Sequence, residues 1–224
     1  MEKPKVVLFD LDGTLLDNSD IIIEAYYDGM IKLGYKPKPR EFIRTLLGKN
    51  TFTIGLNLEL QEEDLPKIDA HFWEFFGKYT EDNKYVPRVY SGVKDILQIL
   101  KDNSVPVGIV TSNKARFAKK LMKKVALDEF ILTYIGQEDV KKTKPSSEPL
   151  LLALEKLGIN KLALKDKTVW FVGDSSSDIE AANNAGFYAI GVPEKDKILS
   201  VKEKNPDFIV NSLTELSLEL KKLL

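Results

Sequence analysis

The chain has 224 residues and a mass of 25.3 kDa, a length that fits one large domain or a domain with a sizeable insertion. Its 33 basic and 34 acidic side chains give a net charge of −1 at pH 7, so it lacks the basic excess expected of a non-specific nucleic-acid binder. It has no cysteine and one histidine. This composition excludes disulfides, thiol catalysis, Cys-ligated zinc and any site that needs two histidines.

Apolar runs alternate with amphipathic segments over most of the chain. The run Val6–Phe9 is continuous, which is typical of a strand buried on both faces. Similar runs predict further strands at 106–110, 131–135, 168–172, 188–192 and 208–210. Amphipathic segments predict helices at 93–101, 115–125, 149–157, 178–185 and 212–223. This alternation predicts an α/β fold, in which helices flank both faces of a parallel sheet.

The segment from Asp17 to Arg88 departs from the alternation. Only helices are predicted there, at 19–33, 39–47, 52–60 and 65–80. About seventy residues of helical pattern between the first strand and the next indicate an inserted all-α domain. We therefore predict an α/β core formed by residues 1–16 and 89–224, with the helical insertion at 17–88.

The last helix of this insertion carries the single histidine and a stripe of aromatic residues. The stripe is formed by Phe72, Phe75, Phe76 and Tyr79, at the spacing of one helix face. We interpret this face as interior packing of the insertion, and His71 beside it as structural rather than catalytic.

Two carboxylates, Asp10 and Asp12, directly follow the first predicted strand, and Gly13 and Thr14 come next. Ligands of open α/β sheets bind at the carboxyl ends of the strands. Side chains two residues apart on an extended chain project to the same side. Two acids placed in this way repel each other unless a cation is bound or one of them stays protonated. The alternative interpretation is a polar turn that caps a helix.

A second acidic stretch follows the strand predicted at 168–172. The carboxylate of Asp174 can complete a cation site with Asp10, because oxygen ligands of this type are those that Mg²⁺ prefers. Asp178 fits either the N-cap of the next helix or a supporting position beside that cation.

Two further stretches are weak signals by themselves. Thr111, Ser112 and Asn113 follow the strand at 106–110, where hydroxyls and free backbone N–H groups can form an anion cradle. The same residues are also common in turns. Lys144 precedes Pro145 in a loop from which its ammonium can reach a phosphoryl group, although a surface lysine would give the same pattern.

Together, and in this order, the four stretches resemble the four motifs of the haloacid dehalogenase superfamily. DLDGT at 10–14 matches the DxDGT motif, Thr-Ser-Asn at 111–113 matches a Thr or Ser followed by Asn, Lys144-Pro145 matches Lys-Pro, and GDSSSD at 173–178 matches GDSxxD. The resemblance covers nearly the whole chain. It implies a Rossmann-like core, with the helical insertion in the position of a C1-type cap, as in phosphoglycolate phosphatase-like and β-phosphoglucomutase-like members.

The resemblance implies a Mg²⁺-dependent phosphatase that hydrolyses a small phosphate monoester, of the phosphoglycolate or sugar-phosphate type, through an aspartyl-phosphate. Asp10 would be the nucleophile, Asp12 the general acid and base, and Lys144 a further catalytic residue. Mg²⁺ would be held by the Asp10 carboxylate, the Asp12 backbone carbonyl and the Asp174 carboxylate, with Asp178 bonding its waters. Substrate and phosphate binding is assigned to Thr14, Thr111, Ser112, Asn113 and Lys49.

Two alternatives remain open at this point. A phosphomutase of the β-phosphoglucomutase type would hold a second phosphate in the cap, and such caps often have Ser-Arg soon after the glycine equivalent to Gly48. This chain has Lys49-Asn50-Thr51 there, which disfavours the mutase. Arg44 on the other side of that glycine is a weaker candidate for substrate contact. A non-catalytic ligand-binding or regulatory protein of the same fold is disfavoured because both Asp10 and Asp12 are retained.

The expected partner is a small phosphorylated metabolite, with neither nucleic acid nor membrane involved, and the expected state is a monomer or a small homo-oligomer. Residues 1–4 form a short charged N-terminus, and the first apolar run, Val6–Phe9, is far shorter than the apolar core of a signal peptide or of a membrane span. We therefore expect a cytoplasmic protein.

Overall fold

The computed structural model of the protein describes residues 1–49, 51–82, 85–164 and 167–224. The strands are β1 (Val6–Phe9), β2 (Leu16–Asp17), β3 (Arg88–Val89), β4 (Val107–Val110), β5 (Thr133–Ile135), β6 (Val169–Gly173), β7 (Tyr188–Gly191) and β8 (Phe208–Ile209). Six of them form one sheet in the order β5-β4-β1-β6-β7-β8, and all neighbouring pairs are parallel. The other two, β2 and β3, form a separate antiparallel ribbon.

Helices fill most of the remaining described chain. They are α1 (Ser19–Lys32), α2 (Arg40–Arg44), α3 (Thr51–Asn57), α4 (Leu65–Glu81), α5 (Val93–Asp102), α6 (Ala115–Lys124), α7 (Glu148–Lys156), α8 (Ser176–Ala185), α9 (Ile198–Lys202) and α10 (Leu213–Lys221). The first four lie between β2 and β3, and we call α1–α4 the helical segment. The predicted fold class, a parallel sheet flanked by helices with an all-α insertion, is confirmed. The domain boundaries at 16/17 and 88/89 stay a prediction.

The two faces of the sheet are covered by different helices. Val7 and Phe9 of β1 pack in one apolar cluster with α5, α6 and α10, whereas Val6 and Leu8 pack in a second cluster with α7 and α8. Successive strand residues point to opposite faces, so a continuous apolar run is what a strand covered on both sides requires. This burial on both faces places β1 in the interior of the sheet. Its carboxyl end therefore lies near the middle of the side of the sheet where the parallel strands end.

Aromatic side chains join the helical segment to the core. The ring of Trp73 in α4 stacks on Phe117 of α6, with ring centroids 6.0 Å apart and 14° between the planes. A Cβ atom on Gly77 would lie 3.2 Å from the Phe117 ring, so the absence of a side chain at Gly77 permits this close approach. Lys120 of α6 adds an ion pair with Glu81 at 2.8 Å. The contact holds α4 against the core beside the sheet edge.

The aromatic stripe of α4 is interior only in part. Phe72 and Phe76 are buried, as predicted, and Phe75 is half-buried against the same cluster. Tyr79 is 40% exposed, so its assignment to the interior is wrong. It lies near the end of the helix, where it stacks on Phe75 with one side toward solvent. His71 is 2.9 Å from the Asp28 carboxylate on α1, so its contact is with a neighbouring helix.

The helices α2 and α3 end three residues earlier than predicted, a larger difference than at the other predicted helix ends. The backbone after α3 reaches Glu59, whose φ of +62° lies in the left-handed region and stops the helix before residue 60. The chain after α2 passes through turns from residue 45 to Gly48, which has a φ of +90°. In the described ranges, no helix has both the length and the apolar character needed to cross a membrane.

Candidate active site

The strand ends that meet at the middle of the sheet carry the predicted site residues. Asp10 follows β1, Thr111 follows β4 and Asp174 follows β6, and these strands are direct neighbours. A cavity of about 1140 Å³, which includes a part open to solvent, lies between this edge and the helical segment. Nine of the predicted site residues line it: Asp10, Asp12, Lys49, Thr111, Ser112, Asn113, Lys144, Asp174 and Asp178.

Asp10 is buried and bonded to a buried lysine. Lys144 Nζ donates to Asp10 Oδ1 at 2.6 Å and to Asp178 Oδ1 at 2.7 Å, and the Lys144 side chain is 4% exposed. Burial, together with the carboxylates of Asp178 and Asp174, raises the pKa of Asp10, and the Lys144 charge opposes this rise. Burial lowers the pKa of Lys144, but its two carboxylate partners outweigh that effect and raise it. Lys144 therefore stays a cation beside Asp10.

Asp174 has a cation of its own. Lys197, just before α9, contacts Asp174 Oδ2 through its ammonium group. Gly13, which has a φ of +94°, also approaches this carboxylate, and a Cβ there would lie 2.5 Å from Asp174 Oδ2. Only glycine permits the loop after β1 to approach Asp174 so closely in that conformation. Thr14 is buried below, and its Oγ1 lies 3.4 Å from both Asp10 Oδ2 and Asp174 Oδ1.

The acidic groups at this edge fit a hard cation. Oxygen atoms of Asp10, Asp174 and Asp178 lie within 4.8 Å of one another, and carboxylate oxygens are the donors that Mg²⁺ prefers. Both Asp178 oxygens already accept hydrogen bonds, Oδ1 from Lys144 and Oδ2 from the backbone and hydroxyl of Ser175 at 3.0 and 2.6 Å. Asp10 and Asp174 each have one oxygen whose contact among the described residues is the Thr14 hydroxyl at 3.4 Å, so they are better suited than Asp178 to bind a metal directly.

The carboxylate of Asp12 lies in a different hydrogen-bond network. Asn18 Nδ2 donates to Asp12 Oδ1 at 2.5 Å and Asn113 Nδ2 donates to Asp12 Oδ2 at 3.3 Å. The hydroxyl of Tyr85 in turn donates to Asn18 Oδ1 at 2.8 Å. Burial raises the pKa of Asp12, and the two amide donors oppose the rise. A raised pKa favours a carboxyl group that can both give and take a proton.

The local geometry corrects one detail of the predicted site. The prediction of Asp178 as an N-cap is wrong, because α8 begins at Ser176 and its N-cap is Ser175. Asp178 instead occupies the first turn and accepts from Ser175 in a capping box. In the loop after β4, the N–H of Asn113 already donates to Thr111 Oγ1 at 3.0 Å. The phosphate cradle of Thr111, Ser112 and Asn113 stays a prediction.

Sequence reasoning missed three residues of this site. Lys197 lies in the polar loop between β7, which ends at Gly191, and α9, and a loop that follows the carboxyl end of a strand is a place where site residues are expected. Asn18 and Tyr85 are 67 residues apart and meet only in the folded chain. No sequence signal identifies such a pair without an alignment.

The side of the cavity formed by the helical segment carries fewer available charges. Arg44 donates to Asp20 at 3.0 Å and to Ser19 at 3.1 Å, so its charge is already paired. Lys49 is exposed at the cavity and has no ion-pair partner among the residues that the structure describes. Apolar and aromatic side chains complete this wall: Ile22, Tyr26, Leu47, Ile54, Phe72 and Trp73.

Comparisons with known proteins agree with this arrangement of fold and site. The family model described as haloacid dehalogenase-like hydrolase matches residues 7–192. The chain belongs to this family. It is a hydrolase of the phosphatase type, in keeping with the named activities of its relatives.

The similar proteins cover almost all of the chain. A relative from Caldanaerobacter subterraneus named "Putative pyrophosphatase PpaX" is 33% identical, over 96% of this chain and 93% of that protein. A phosphoglycolate phosphatase from Neisseria meningitidis is 29% identical over the same shares. The crystal structure of a haloacid dehalogenase-like hydrolase from Bacteroides fragilis has a TM-score of 0.85 at 24% identity, over 96% of this chain and 100% of that one. At this level of identity, the similarity to the crystal structure shows that the two proteins share a fold.

Proposed function

We propose that the protein is a Mg²⁺-dependent phosphatase that hydrolyses a small phosphate monoester through an aspartyl-phosphate on Asp10. The observation that carries the proposal is the buried Asp10 carboxylate at the end of β1, 2.6 Å from the Lys144 ammonium and close to Asp174. A carboxylate and a phosphate monoester are both anions, so a site for their reaction must supply positive charge. Cations concentrated around a carboxylate nucleophile meet this requirement.

The carboxylates of Asp10 and Asp174 and the backbone carbonyl of Asp12 would hold Mg²⁺, with Asp178 supporting its waters. When bound, Mg²⁺ supplies positive charge next to the phosphoryl oxygens. Asp10, Asp12, Asp174 and Asp178 bring four acids to the site, against the two ammonium groups of Lys144 and Lys197. The acids outnumber the ammonium groups even when Asp12 is protonated, so the site keeps negative charge that favours a bound cation.

In the first step, a carboxylate oxygen of Asp10 attacks phosphorus, and the bond from phosphorus to the ester oxygen breaks. Asp12 gives its proton to the departing alkoxide. In the second step, Asp12 removes a proton from a water molecule that attacks the aspartyl-phosphate, which releases inorganic phosphate and regenerates Asp10. The separation of the Asp12 carboxylate from the acidic cluster, through Asn18 and Asn113, supports this division of roles.

Around the reacting group, Lys144 would neutralise charge on Asp10 and on the phosphoryl group. We assign phosphate contact to Thr14, Thr111, Ser112 and Asn113, and substrate contact at the cavity mouth to Lys49. Residues 17–88 would form the cap that covers a small substrate and excludes bulk water. The stacking of Trp73 on Phe117 supports a covering position for the helical segment.

The proposal is tested by phosphate release from para-nitrophenyl phosphate and from a panel of phosphorylated metabolites, in Mg²⁺ and in EDTA. We expect turnover in Mg²⁺, loss of turnover in EDTA and recovery when Mg²⁺ is added back. The panel includes pyrophosphate, because one relative carries a pyrophosphatase name. Full activity in chelator would refute the metal-dependent mechanism. Binding of phosphate esters without release of phosphate would favour the non-catalytic alternative, and transfer to a second sugar would favour the phosphomutase.

A further inference from the structure

The end of the cavity away from the acidic cluster contains a polar group that the mechanism does not use. Tyr26 of α1 lines the cavity and is completely buried. Its hydroxyl has no hydrogen-bond partner within the described parts of the chain. A buried hydroxyl without a partner costs roughly 1–3 kcal/mol, and buried polar groups in native proteins are almost always bonded. Because Tyr26 borders a substrate cavity, a ligand bound there is one source of the missing partner.

The surroundings of this hydroxyl are aromatic and apolar. The Tyr26 ring stacks on Phe72, with centroids 4.8 Å apart and 29° between the planes. Trp73 meets Phe72 edge-on at 4.8 Å and also lines the cavity. Such surfaces pack well against the carbon skeleton of a ligand, while a few polar groups fix its orientation.

The charge of Asp69 acts on Tyr26 and disfavours an anion beside its hydroxyl. Asp69 accepts a hydrogen bond from Trp73 Nε1 at 3.0 Å and another from the hydroxyl of Thr51. Burial, followed by the negative charge of Asp69, raises the pKa of Tyr26 well above its usual range. The hydroxyl is therefore a neutral group that can donate and accept. A carboxylate or phosphate placed here would be desolvated close to Asp69.

The charge of the whole cavity leads to the same conclusion. Among the residues that the structure describes, seven acidic and five basic side chains line it, so acids are in excess by two. A divalent cation would balance that excess, and the phosphate group of the substrate would then add negative charge. Four of the basic side chains are already paired with carboxylates: Arg44, Arg88, Lys144 and Lys197. This leaves Lys49, exposed at the cavity mouth, as the basic side chain that could meet a second anionic group on the substrate, and an exposed lysine adds at most about 1 kcal/mol to such a contact.

We propose that Tyr26 determines specificity by hydrogen-bonding to a hydroxyl group on the uncharged organic part of the substrate, while Phe72 and Trp73 cover its carbon skeleton. The preferred substrate is then a phosphate monoester of a neutral sugar or polyol. Esters that carry a carboxylate, and pyrophosphate, are poorer substrates. This inference rests on the proposed phosphatase function.

The test compares Tyr26→Phe with Tyr27→Phe on two kinds of substrate. Tyr27 is the next residue, and the Arg40 guanidinium lies 3.8 Å above its ring, so this control removes a hydroxyl from the same helix at another position. The substrates are the best sugar or polyol phosphate of a panel and para-nitrophenyl phosphate, which has no hydroxyl on its organic part. Phosphoglycolate and pyrophosphate are measured beside them.

We expect the best sugar or polyol phosphate to exceed phosphoglycolate and pyrophosphate in kcat/KM by at least about tenfold. Tyr26→Phe should lower kcat/KM about tenfold for that substrate, mainly through KM, and less than twofold for the aryl phosphate. Tyr27→Phe should change neither. The melting temperature of free Tyr26→Phe should not fall, because the variant removes a hydroxyl that has no protein partner.

Equal losses on both substrates, no loss on either, or a clear drop in melting temperature would each overturn the inference. A preference for phosphoglycolate or pyrophosphate would overturn it as well. In all these cases the aryl phosphate is still hydrolysed, so the proposed phosphatase function stands. Failure to hydrolyse any ester, including the aryl phosphate, would refute the phosphatase function and the inference with it.

Discussion

The two ends of the cavity are built from different chemistry. At the sheet edge, charged groups meet in pairs, such as Asp10 with Lys144 at 2.6 Å and Asp174 with Lys197. At the helical segment, the Tyr26 hydroxyl lies among aromatic rings and is neutral. Paired charges suit the phosphoryl group of the substrate, which stays charged through the reaction. Neutral surfaces suit the organic part of the substrate, which is bound but does not react. Variants at the first end should therefore change kcat, and variants at the second should change KM and substrate preference.

The largest effect is expected from Asp10→Asn. Turnover of every ester should fall by at least ~10³-fold, because an amide cannot form the aspartyl-phosphate. Since the variant removes one of several crowded carboxylates, its melting temperature should stay the same or rise. Steady-state kinetics and a thermal melt check both parts. Residual activity of more than a few per cent would show that Asp10 is not the nucleophile.

Asp12→Asn should produce the next largest effect, and its size should depend on the leaving group. Hydrolysis of a sugar phosphate should drop by about 10²–10⁴-fold, because the alkoxide leaves without a proton. An activated aryl phosphate needs less protonation, so rapid mixing should show a burst of phenol followed by slow turnover.

The affinity of Asp12→Asn for Mg²⁺ should be retained, since Asn18 and Asn113 hold the Asp12 carboxylate away from the acidic cluster. If the burst phase is slowed equally for both kinds of ester, or if Mg²⁺ affinity collapses, Asp12 is a metal ligand and not the acid and base.

Lys197→Gln should strengthen Mg²⁺ binding by about tenfold, equivalent to about 1.4 kcal/mol. The reason is that the ammonium of Lys197 contacts the Asp174 carboxylate, a proposed metal ligand, and repels an incoming cation. Calorimetric titration of Mg²⁺ into the metal-free protein measures the change. Lys195→Gln is the matched control, because Lys195 is exposed on the same loop. Unchanged or weaker binding in Lys197→Gln would mean that Lys197 and the metal do not compete for Asp174.

The smallest effect is expected from Lys49→Gln. An exposed lysine contributes at most about 1 kcal/mol to a charged contact, so KM should rise about threefold while kcat stays constant. Lys36→Gln, at another exposed lysine of the helical region, should change neither parameter. A large fall in kcat for Lys49→Gln would place catalytic charge at the helical end and break the contrast between the two ends.

Much of the fold could be predicted because burial leaves a direct trace in the sequence. A strand covered on both faces, such as β1 or β6, must be apolar throughout, and that run is visible without knowledge of its neighbours. The ribbon of β2 and β3 has two residues in each strand and α9 has five, which is too short for any periodic pattern. The ends of α2 and α3 depend on backbone conformations at particular turn residues, and the pattern of side chains does not encode them.

The candidate site shows the same division. Asp10 and Asp174 could be predicted because each stands immediately after a buried strand and because the motifs occur in order. The Asn18–Tyr85 bond joins residues from the two ends of the helical segment, so it arises only when the chain has folded. Tyr26 occupies an apolar position on α1, and periodicity cannot distinguish the wall of a cavity from a filled interior.

The short ribbon of β2 and β3 brings the two ends of the helical segment together. Leu16 pairs with Val89 and Asp17 with Arg88, so the chain leaves and returns at points about 5 Å apart, the spacing of paired strands. A hairpin turn of two residues closes the same gap. If residues 17–88 set substrate preference as proposed, an exchange of the chain between Asp17 and Arg88 would leave the register of the parallel sheet unchanged, and the replacement would have to provide contacts to α6 in place of those of Trp73 and Glu81.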